Sequence, residues 1–446
     1  MPHNPRGCYL THRKPGRASK GIMTLSTLRR SARLLVAPSD TSAALQEFLE
    51  SALRDLPWKV VFTDWVGHTY ATGGGRAHWS GQHLRVNMKT KAAGRDILRL
   101  DGLRFLERFL EGDVDLDGNL YLLADIRKYA ALRLKPWHIV GRIFKHLAFQ
   151  SPGRAGVNVK SHYDIPQEAL NVYLDRTYMS YSCGMFEHPG RLDPEEMTRV
   201  GQGQGDDFDS LEKSMWRKFK DAADYIAPAS GEKLLDVGCG YGGQLIVALE
   251  NHPFGKVVGW THSHNQASEG AKMLARFDPG RWELNEGDYR SDDRVYDHIT
   301  STGMISHVGP RGLVPYVRQV RRRIKTGGRY LHHALMTAHK RRPLDFDVGI
   351  AFNKKYVWPG FHWFTVGEHV RALEKNGFQI EQVVNLTPHY AKTTAAWYER
   401  MMVHRDVMTE AVGEPTFRAW QVFLAGITGS YLNRDIHVYR LYCVAV

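Results

Sequence analysis

A glycine-rich turn within residues 234–243 is the segment whose residue types and spacing most clearly predict chemistry. It reads LLDVGCGYGG, so an apolar run ends at Asp236 and is followed by Gly238, Gly240 and Gly242. Glycines let the backbone turn tightly and let a ligand approach without a Cβ atom in between. The GxGxGG spacing differs from the GxGxxG of dinucleotide enzymes, and no Lys-Ser/Thr pair follows to hold a triphosphate. The turn therefore predicts a ligand site that suits neither a dinucleotide nor a nucleoside triphosphate.

Polar residues follow the next two predicted strands, where a ribose and an adenine would lie. The first of these strands ends in WTHSHNQ. It has no carboxylate, which argues against NAD because dinucleotide enzymes place Asp or Glu there. Thr261 and Gln266 are predicted to hydrogen-bond the ribose hydroxyls. In the segment GDYR, Asp288 is predicted to accept a hydrogen bond from an adenine amino group, and Tyr289 to lie against the ring.

Strand and helix patterns alternate from residue 232 onward, and this alternation predicts what positions the polar residues. Alternating elements build a parallel sheet flanked by helices. Residues 41–150 mix helical and strand patterns without alternation, which favours a smaller α+β domain. We therefore predict a basic, flexible tail over 1–40, an N-terminal α+β domain over 41–150, a linker over 151–162 and an α/β domain over 163–446.

The composition is that of a folded, basic protein. The chain has 446 residues, 43% of them hydrophobic, and a net charge of +13 at pH 7. Such a charge attracts anionic partners, either nucleic acid or lipid headgroups, and does not choose between them. No run of about 18 apolar residues occurs, so no transmembrane helix is predicted. The four cysteines form no CxxC pair and no metal-ligand spacing, so we expect no disulfide framework, no metal site and a cytoplasmic location.

Two basic segments each have two interpretations. Eight Lys or Arg residues precede Asp40, the first acidic residue. This start is typical of a flexible tail, and an organelle transit peptide is the alternative. Residues 127–147 mix Lys and Arg with Trp137, Ile139 and Phe144. That mixture suits a membrane interface, and the alternative is an amphipathic helix that packs on the core.

Several motifs together resemble the cyclopropane fatty acid synthase family, which includes mycolic acid methyltransferases. They are SHYDIP, YMSYSCGMF, LLDVGCGYGG, VVGWTHSHNQ, GDYR and STGMISHVGP, with PHYAKTTAAWYERM and NRDIHVYRL near the end. The resemblance implies a Rossmann-like class I methyltransferase domain preceded by a smaller, lipid-binding-like α+β domain. It further implies S-adenosyl-L-methionine as cofactor, phospholipid acyl chains as substrate and a homodimer. With the basic charge, it favours a peripheral location at the inner face of an anionic membrane.

The resemblance also implies which residues hold the cofactor. Tyr181 and Ser182 are expected to close over it, and Gly238 and Gly240 to lie near its methionine part. Thr302 is expected to line the same pocket. The assignments made above to ribose and adenine agree with the family pattern.

The reaction of this family requires special surroundings. An isolated alkene that attacks an electrophilic methyl group becomes a carbocation, so water must be excluded, and aromatic walls stabilise positive charge. A base must then remove a proton, and in the family a bicarbonate ion is thought to do so. Of the residues that hold bicarbonate, Cys183, His333 and Tyr390 are matched here, with the backbone of Leu335. Ser306, in GMISHVG, replaces a glutamate, so the anion site is predicted to be altered or absent, and the product to be a ring or a methyl branch.

The sequence leaves three alternative functions beside lipid modification. One is a methyltransferase for a small hydrophobic metabolite, and another is a non-catalytic lipid-binding relative, which the loss of the glutamate at Ser306 would allow. A nucleic-acid methyltransferase would suit the positive charge. The sequence argues against nucleic acid as a partner because it has neither a PPY-type loop for flipped bases nor a Cys nucleophile after a proline.

Overall fold

The N-terminal part of the chain builds a four-stranded mixed sheet with helices beside it. The computed structural model describes residues 41–129, 165–203, 209–338 and 347–446. The strand order is β2-β1-β3-β4, with only β1 and β3 parallel. The elements are α1 (Thr41–Ala52), β1 (Val60–Thr63), β2 (Thr69–Thr72), β3 (Leu84–Met88), α2 (Lys91–Leu98), α3 (Gly102–Glu111), β4 (Val114–Gly118) and α4 (Leu122–Tyr129).

The residue pattern explains these elements. Side chains of β3 alternate, so Leu84, Val86 and Met88 face the core while the residues between them are exposed, as the two-residue period of a strand requires. Helix α3 begins at a cap in which the Asp101 side chain accepts a hydrogen bond from the Arg104 amide, and it ends at a left-handed glycine. These are the usual start and stop signals of a helix.

The rest of the chain builds a seven-stranded sheet with helices on both faces. Its order is β10-β11-β9-β8-β5-β6-β7, parallel from β9 to β7 and antiparallel where β11 pairs with β9 and β10. The strands are β5 (Lys233–Val237), β6 (Lys256–Thr261), β7 (Trp282–Glu286), β8 (His298–Thr302), β9 (Arg329–Thr337), β10 (Phe378–Asn385) and β11 (Ile436–Ala445). The predicted Rossmann-like class is confirmed.

Helices cover this sheet and link it to the smaller one. They are α5 (Gln167–Tyr173), α6 (Pro194–Gln202), α7 (Leu211–Ile226), α8 (Gly243–Asn251), α9 (His264–Leu274), α10 (Leu313–Arg323), α11 (Val348–Tyr356), α12 (Val366–Glu374), α13 (Thr387–Val403), α14 (Arg405–Val412) and α15 (Glu414–Leu432). Helix α15 packs against both α3 and α4. A Cβ atom added to Gly429 would lie 2.4 Å from Cβ of Ala124, so this glycine permits the close approach of α15 to α4.

Some predictions fall on residues that the structure does not describe. The tail over 1–40 and the linker over 151–162 lie outside the described residues, as does nearly all of the basic-aromatic segment 127–147. The domain boundaries therefore stay predictions. In the described ranges, no helix is both long and apolar enough to cross a membrane.

Candidate active site

A cavity of about 800 Å³ lies at the carboxyl edge of the large sheet. Its position follows from the strand order. Neighbouring strands β8 and β5 send their crossover helices to opposite sides, and ligands of open α/β sheets bind at such a switch point. The predicted cofactor residues Tyr181, Ser182, Gly238, Gly240, Thr261, Gln266, Asp288, Tyr289 and Thr302 all line this cavity. We call Gly238, Gly240, Thr261, Gln266 and Asp288 the cofactor half.

The glycine turn forms an open floor for a ligand. Gly238 and Gly240 have φ angles of 80° and 55°, in the left-handed region that favours glycine. A Cβ atom at Gly238 would lie 2.8 Å from Cβ of Met304, whereas one at Gly240 would meet no atom within 4 Å and would occupy open space. Gly242 differs from the prediction. It is absent from the cavity wall, and it turns the chain into α8 beside Leu274.

Polar groups follow β6 and β7 as the sequence predicts. The Thr261 hydroxyl donates to Oε1 of Gln266 over 2.6 Å, and both side chains are buried. Asp288 already accepts hydrogen bonds from the backbone and the guanidinium of Arg290. Burial alone would raise the pKa of Asp288, but these hydrogen bonds keep it below its ordinary value. The carboxylate is therefore ionised at neutral pH and remains an acceptor.

Beneath the turn lies an acid to which the sequence analysis gave no role. Asp236 is the penultimate residue of β5, lines the cavity and is 3% exposed. Thr300 donates a hydrogen bond to its Oδ1 atom over 2.8 Å. Burial raises the pKa of Asp236 to about 7, although the Thr300 hydrogen bond and the charge of Lys218 act in the opposite sense. The sequence did contain a signal for this residue. Burial of a carboxylate in an apolar run such as LLDVG costs free energy unless the carboxylate has a partner or a function.

A buried lysine supports the segment 178–183, which lines the cavity. Lys218, on α7, is 1% exposed and donates hydrogen bonds to the hydroxyls of Ser180 and Ser182, the latter over 2.8 Å. Burial lowers the pKa of Lys218 to about 7, opposed by the charge of Asp175. Asp175 in turn accepts hydrogen bonds from two backbone amides of the same segment. Sequence reasoning missed Lys218, since an amphipathic helix gives no signal for a lysine on its buried face.

Cys183, His333 and Tyr390 line the same cavity, and with Arg440 behind them we call this group the reaction half. The three lining side chains come from the loop before α6, from β9 and from α13. Burial raises the pKa of Cys183 to about 12, so the side chain is a neutral thiol rather than a nucleophilic thiolate. Burial, together with the charges of Arg440 and Lys218, holds the pKa of His333 well below its ordinary value. Both groups are therefore uncharged at neutral pH.

Aromatic side chains surround this group. Tyr390 stacks on Tyr431 at 5.0 Å and meets Trp397 edge-on, while Tyr181 stacks on Trp397 at 5.1 Å. Tyr173 and Trp420 complete what we call the aromatic cluster. Five of its six members, Tyr173, Tyr390, Trp397, Trp420 and Tyr431, are at most 5% exposed. The cluster excludes water and offers π faces to positive charge.

Ser306 lies in the short turn after β8 and does not line the cavity with Cys183, His333 and Tyr390. It is fully buried, its backbone carbonyl accepts from the His362 amide over 2.9 Å, and it is not part of the cavity wall. Among the described residues, its hydroxyl has no hydrogen-bond partner. A serine side chain has one carbon before its oxygen, whereas a glutamate at this position would extend two carbons further. The described ranges also hold no group of three His, Cys, Asp or Glu side chains suited to a metal ion.

Comparison with known proteins gives a consistent result. Residues 150–441 match the family model of mycolic acid cyclopropane synthetase. The chain is 29% identical over 291 residues to a probable fatty acid methyltransferase of Pseudomonas putida, covering 64% of this chain and 68% of that protein. It is 28% identical over 292 residues to the cyclopropane-fatty-acyl-phospholipid synthase of Escherichia coli strain K12, covering 66% and 69%.

A solved structure supports the fold. The cyclopropane synthase MmaA2 from Mycobacterium tuberculosis superimposes with a TM-score of 0.57 at 23% identity, covering 65% of this chain and 98% of that one. The residues present also fit the cofactor, because the open space at Gly240 and the buried pair Thr261–Gln266 suit a ligand laid across the strand ends. The chain belongs to the mycolic acid cyclopropane synthetase family and is an S-adenosylmethionine-dependent methyltransferase.

Proposed function

We propose that this enzyme transfers a one-carbon unit to the double bond of an unsaturated acyl chain in a phospholipid. One observation carries the proposal. The cofactor half lines one cavity together with Cys183, His333 and two members of the aromatic cluster, Tyr181 and Tyr390. A methyl donor and a carbocation-forming acceptor need this combination, because the positive charge must be stabilised where water cannot reach it.

The residues that line the cavity have separate roles in the proposed reaction. S-adenosylmethionine, when bound, supplies an electrophilic sulfonium methyl group. Tyr390 holds the acyl chain against an aromatic face, Tyr181 closes over the cofactor beside it, and the buried wall keeps water from the charge that develops on the chain. Cys183 is a neutral thiol, so it does not compete with the alkene for the methyl group. Loss of a proton from the transferred methyl closes a ring. The second outcome is a branch: loss of a proton from the chain carbon on the far side of the cation leaves a methyl-branched alkene, and a hydride shift to the cationic carbon followed by loss of a proton from the methyl leaves a methylene branch.

The surroundings of Ser306 favour the second outcome. No carboxylate stands at this position to help hold an anionic base beside the transferred carbon, and the serine hydroxyl does not reach the cavity wall. Relatives of both kinds are similar to this chain, since one is named a fatty acid methyltransferase and one a cyclopropane synthase. We therefore propose a methyl- or methylene-branched acyl chain as the main product.

A basic face at the cavity rim suits a phospholipid headgroup. Arg311, Arg318 and Arg322 are exposed on or just before α10, and all three line the mouth of the cavity. Within the described ranges, none of them lies within 4 Å of a carboxylate oxygen. Val314 is exposed between them at 39%. We propose that this arginine face contacts anionic lipid at the cytoplasmic side of a membrane, since each basic residue near such a surface contributes about 1 kcal/mol.

Incubation of the purified protein with unsaturated phospholipid vesicles and methyl-labelled S-adenosylmethionine tests the activity. We expect label in the acyl fraction and a mass gain of one CH₂ unit. Proton NMR of the released fatty acids then separates a cyclopropane ring from a branch. Label that appears only in a small hydrophobic metabolite would replace this proposal with the alternative methyltransferase. No label in any product would favour a non-catalytic lipid-binding protein.

Flotation with vesicles tests the arginine face separately. Exchange of Arg311, Arg318 and Arg322 for serine should reduce binding to anionic vesicles, and the reduction should shrink as salt is raised. The matched control exchanges three exposed arginines of the small domain, Arg54, Arg95 and Arg99, which removes the same charge. Equal loss in both triple variants would show that only net charge matters and would overturn the assignment of this face.

A further inference from the structure

Arg440 is a fully buried arginine that the reaction as described does not use. It lies on β11 directly opposite His333 of β9 in the antiparallel pair. Its Nε–H donates a hydrogen bond to Nδ1 of His333 over 3.4 Å. A buried guanidinium is costly unless it is paired. The groups that pair with Arg440 therefore indicate what this residue does.

Two contacts hold the guanidinium in place. Nη1 of Arg440 donates hydrogen bonds to Oδ2 of Asp221 and, over 3.2 Å, to the backbone carbonyl of Lys218. The hydroxyl of Tyr442 donates to the same Asp221 oxygen over 2.7 Å. Asp221 is thus the counter-ion, and it reaches Arg440 from α7, on the far side from His333. The Asp221 carboxylate, the Arg440 guanidinium and the His333 imidazole therefore form a series that ends at the cavity.

The direction of the Arg440–His333 hydrogen bond fixes the imidazole. An arginine is always a donor, so Nδ1 of His333 must be the acceptor and carries no proton. A neutral imidazole then has its single proton on Nε2. Nε2 of His333 is buried and has no hydrogen-bond partner among the described residues, while the side chain lines the cavity. An N–H group is therefore available to a ligand oxygen.

The charges around His333 keep the ring neutral. Arg440 faces it from β11, Lys218 from α7, His332 from its own strand and His389 from α13, and each of these acts with burial to lower the pKa of His333. Cys183 on the cavity side is a neutral thiol. Protonation would place a second cation beside Arg440. The imidazole therefore stays neutral, and the two possible forms differ only in which ring nitrogen carries the proton.

We propose that Arg440, held by Asp221, is a positioning residue that locks His333 in the Nε2–H tautomer, so that His333 donates a hydrogen bond into the cavity and does not act as the base. The tautomer is a property of the protein alone. Its importance for turnover rests on the proposed function. The proton lost from the acyl chain must then go to a group other than His333.

Nitrogen NMR of ¹⁵N-histidine-labelled protein tests the tautomer directly. The His333 resonances are identified by their loss in the His333→Gln variant. We expect a pyridine-type signal for Nδ1 and a pyrrole-type signal for Nε2 in the wild type, without methyl donor or lipid. A pyridine-type Nε2 would overturn the proposal whether or not the enzyme modifies lipids, so the two failures can be told apart.

Two variants separate the hydrogen bond from the packing. Arg440→Gln places an amide nitrogen where Nε stood and keeps a donor without the charge. Arg440→Met has similar length and no donor. We expect the glutamine variant to retain the wild-type tautomer and the methionine variant to show a mixture of both. Turnover should fall about 10-fold or more further in the methionine variant than in the glutamine variant, as for loss of an outer partner of an active-site histidine.

Asp221→Asn supplies a third measurement if Arg440→Met does not fold. It keeps the arginine and removes the charge that holds it. We expect partial loss of the pyridine-type Nδ1 signal, with cofactor affinity within about 2-fold of wild type because neither residue lines the cofactor half. Identical ¹⁵N signals in wild type, Arg440→Met and Asp221→Asn would show that Arg440 has only a structural role and would end the proposal.

Discussion

The two halves of the cavity are built in different ways. The cofactor half comes from the ends of the strands β5, β6 and β7 and from the start of α9, between residues 238 and 288. The reaction half combines Cys183, His333 and Tyr390 from a loop, a strand and a helix that are far apart in the sequence. The first is set by local turns, whereas the second is set by how layers pack. Changes in the cofactor half should therefore affect binding, and changes in the reaction half should affect turnover or stability.

The largest effect should come from the glycine floor. Gly240→Val would place a branched side chain in open space where the ligand lies, at a φ angle of 55°. Backbone strain costs about 1–3 kcal/mol and the steric block adds to it. We expect cofactor affinity to fall by about 1,000-fold or more in isothermal titration calorimetry. Gly190 is an exposed glycine with no neighbour within 4 Å and an ordinary φ angle. Equal affinity in Gly240→Val and the Gly190→Val control would refute the cofactor half.

Lys218 lies behind the reaction half and should make stability depend on pH. Its pKa is about 7 in the folded protein and near 10.5 when exposed. Between these values the unfolded chain holds a proton that the folded protein has lost, so the free energy of unfolding rises with pH across this window. Below about pH 7 both states bind the proton and the contribution is constant. Lys218→Met should lose this increase in the free energy of unfolding, which is on the order of a few kcal/mol.

Urea denaturation near pH 7 and near pH 10 measures the rise in both proteins. Lys220→Met, on the same helix at a partly exposed site paired with Asp224, is the matched control and should keep the wild-type dependence. If the wild type and Lys218→Met show parallel curves, the lysine is not desolvated as the structure indicates.

The comparison of the two halves also explains what the sequence could predict. GxGxGG after an apolar run, and the polar residues Thr261 and Asp288 at later strand ends, are local patterns, and they predicted both the fold class and the cofactor half. Lys218 and Arg440 gave no such signal, since a basic residue in an amphipathic helix or an edge-near strand is ordinarily solvated. Their burial results from the packing of α7 on β9 and β11. The assignment of Gly242 stays a prediction, because spacing does not tell which glycine faces the ligand and Gly242 does not line the cavity.

A smaller effect should come from Tyr390, and it should appear in turnover alone. Tyr390→Phe keeps the ring in the aromatic cluster and removes the hydroxyl. We propose that this hydroxyl donates a hydrogen bond to the group that takes the proton from the acyl chain. A hydrogen bond to a charged group contributes about 1.5–3 kcal/mol, so we expect kcat to fall about 10- to 100-fold with unchanged cofactor affinity. Tyr398→Phe, on the same helix and 6% exposed but outside the cavity wall, should retain wild-type kcat. A change in cofactor affinity in Tyr390→Phe would show that the two halves are not separable.

The smallest effect concerns Ser306, where the reaction half departs from its family pattern. Ser306→Glu would restore a carboxylate with a longer reach, and charged hydrogen bonds are roughly twice as strong as neutral ones. However, Ser306 is fully buried, and its neighbour Ile305 is 2% exposed, so the pocket is packed around small and aliphatic side chains. A buried carboxylate without a partner costs stability.

We therefore expect Ser306→Glu to be less stable than the uncharged, equally long Ser306→Gln by about 1–2 kcal/mol, with no gain in cyclopropane product. Thermal unfolding of both variants and NMR of their lipid products measure this. The wild type should respond little to added bicarbonate, because the serine hydroxyl does not reach the cavity. Efficient, bicarbonate-stimulated ring formation by the wild type would contradict this interpretation. It would mean that Cys183, His333 and Tyr390 hold the anion without a carboxylate. The reaction half would then tolerate the loss of a charged group, whereas the cofactor half does not tolerate one added side chain at Gly240.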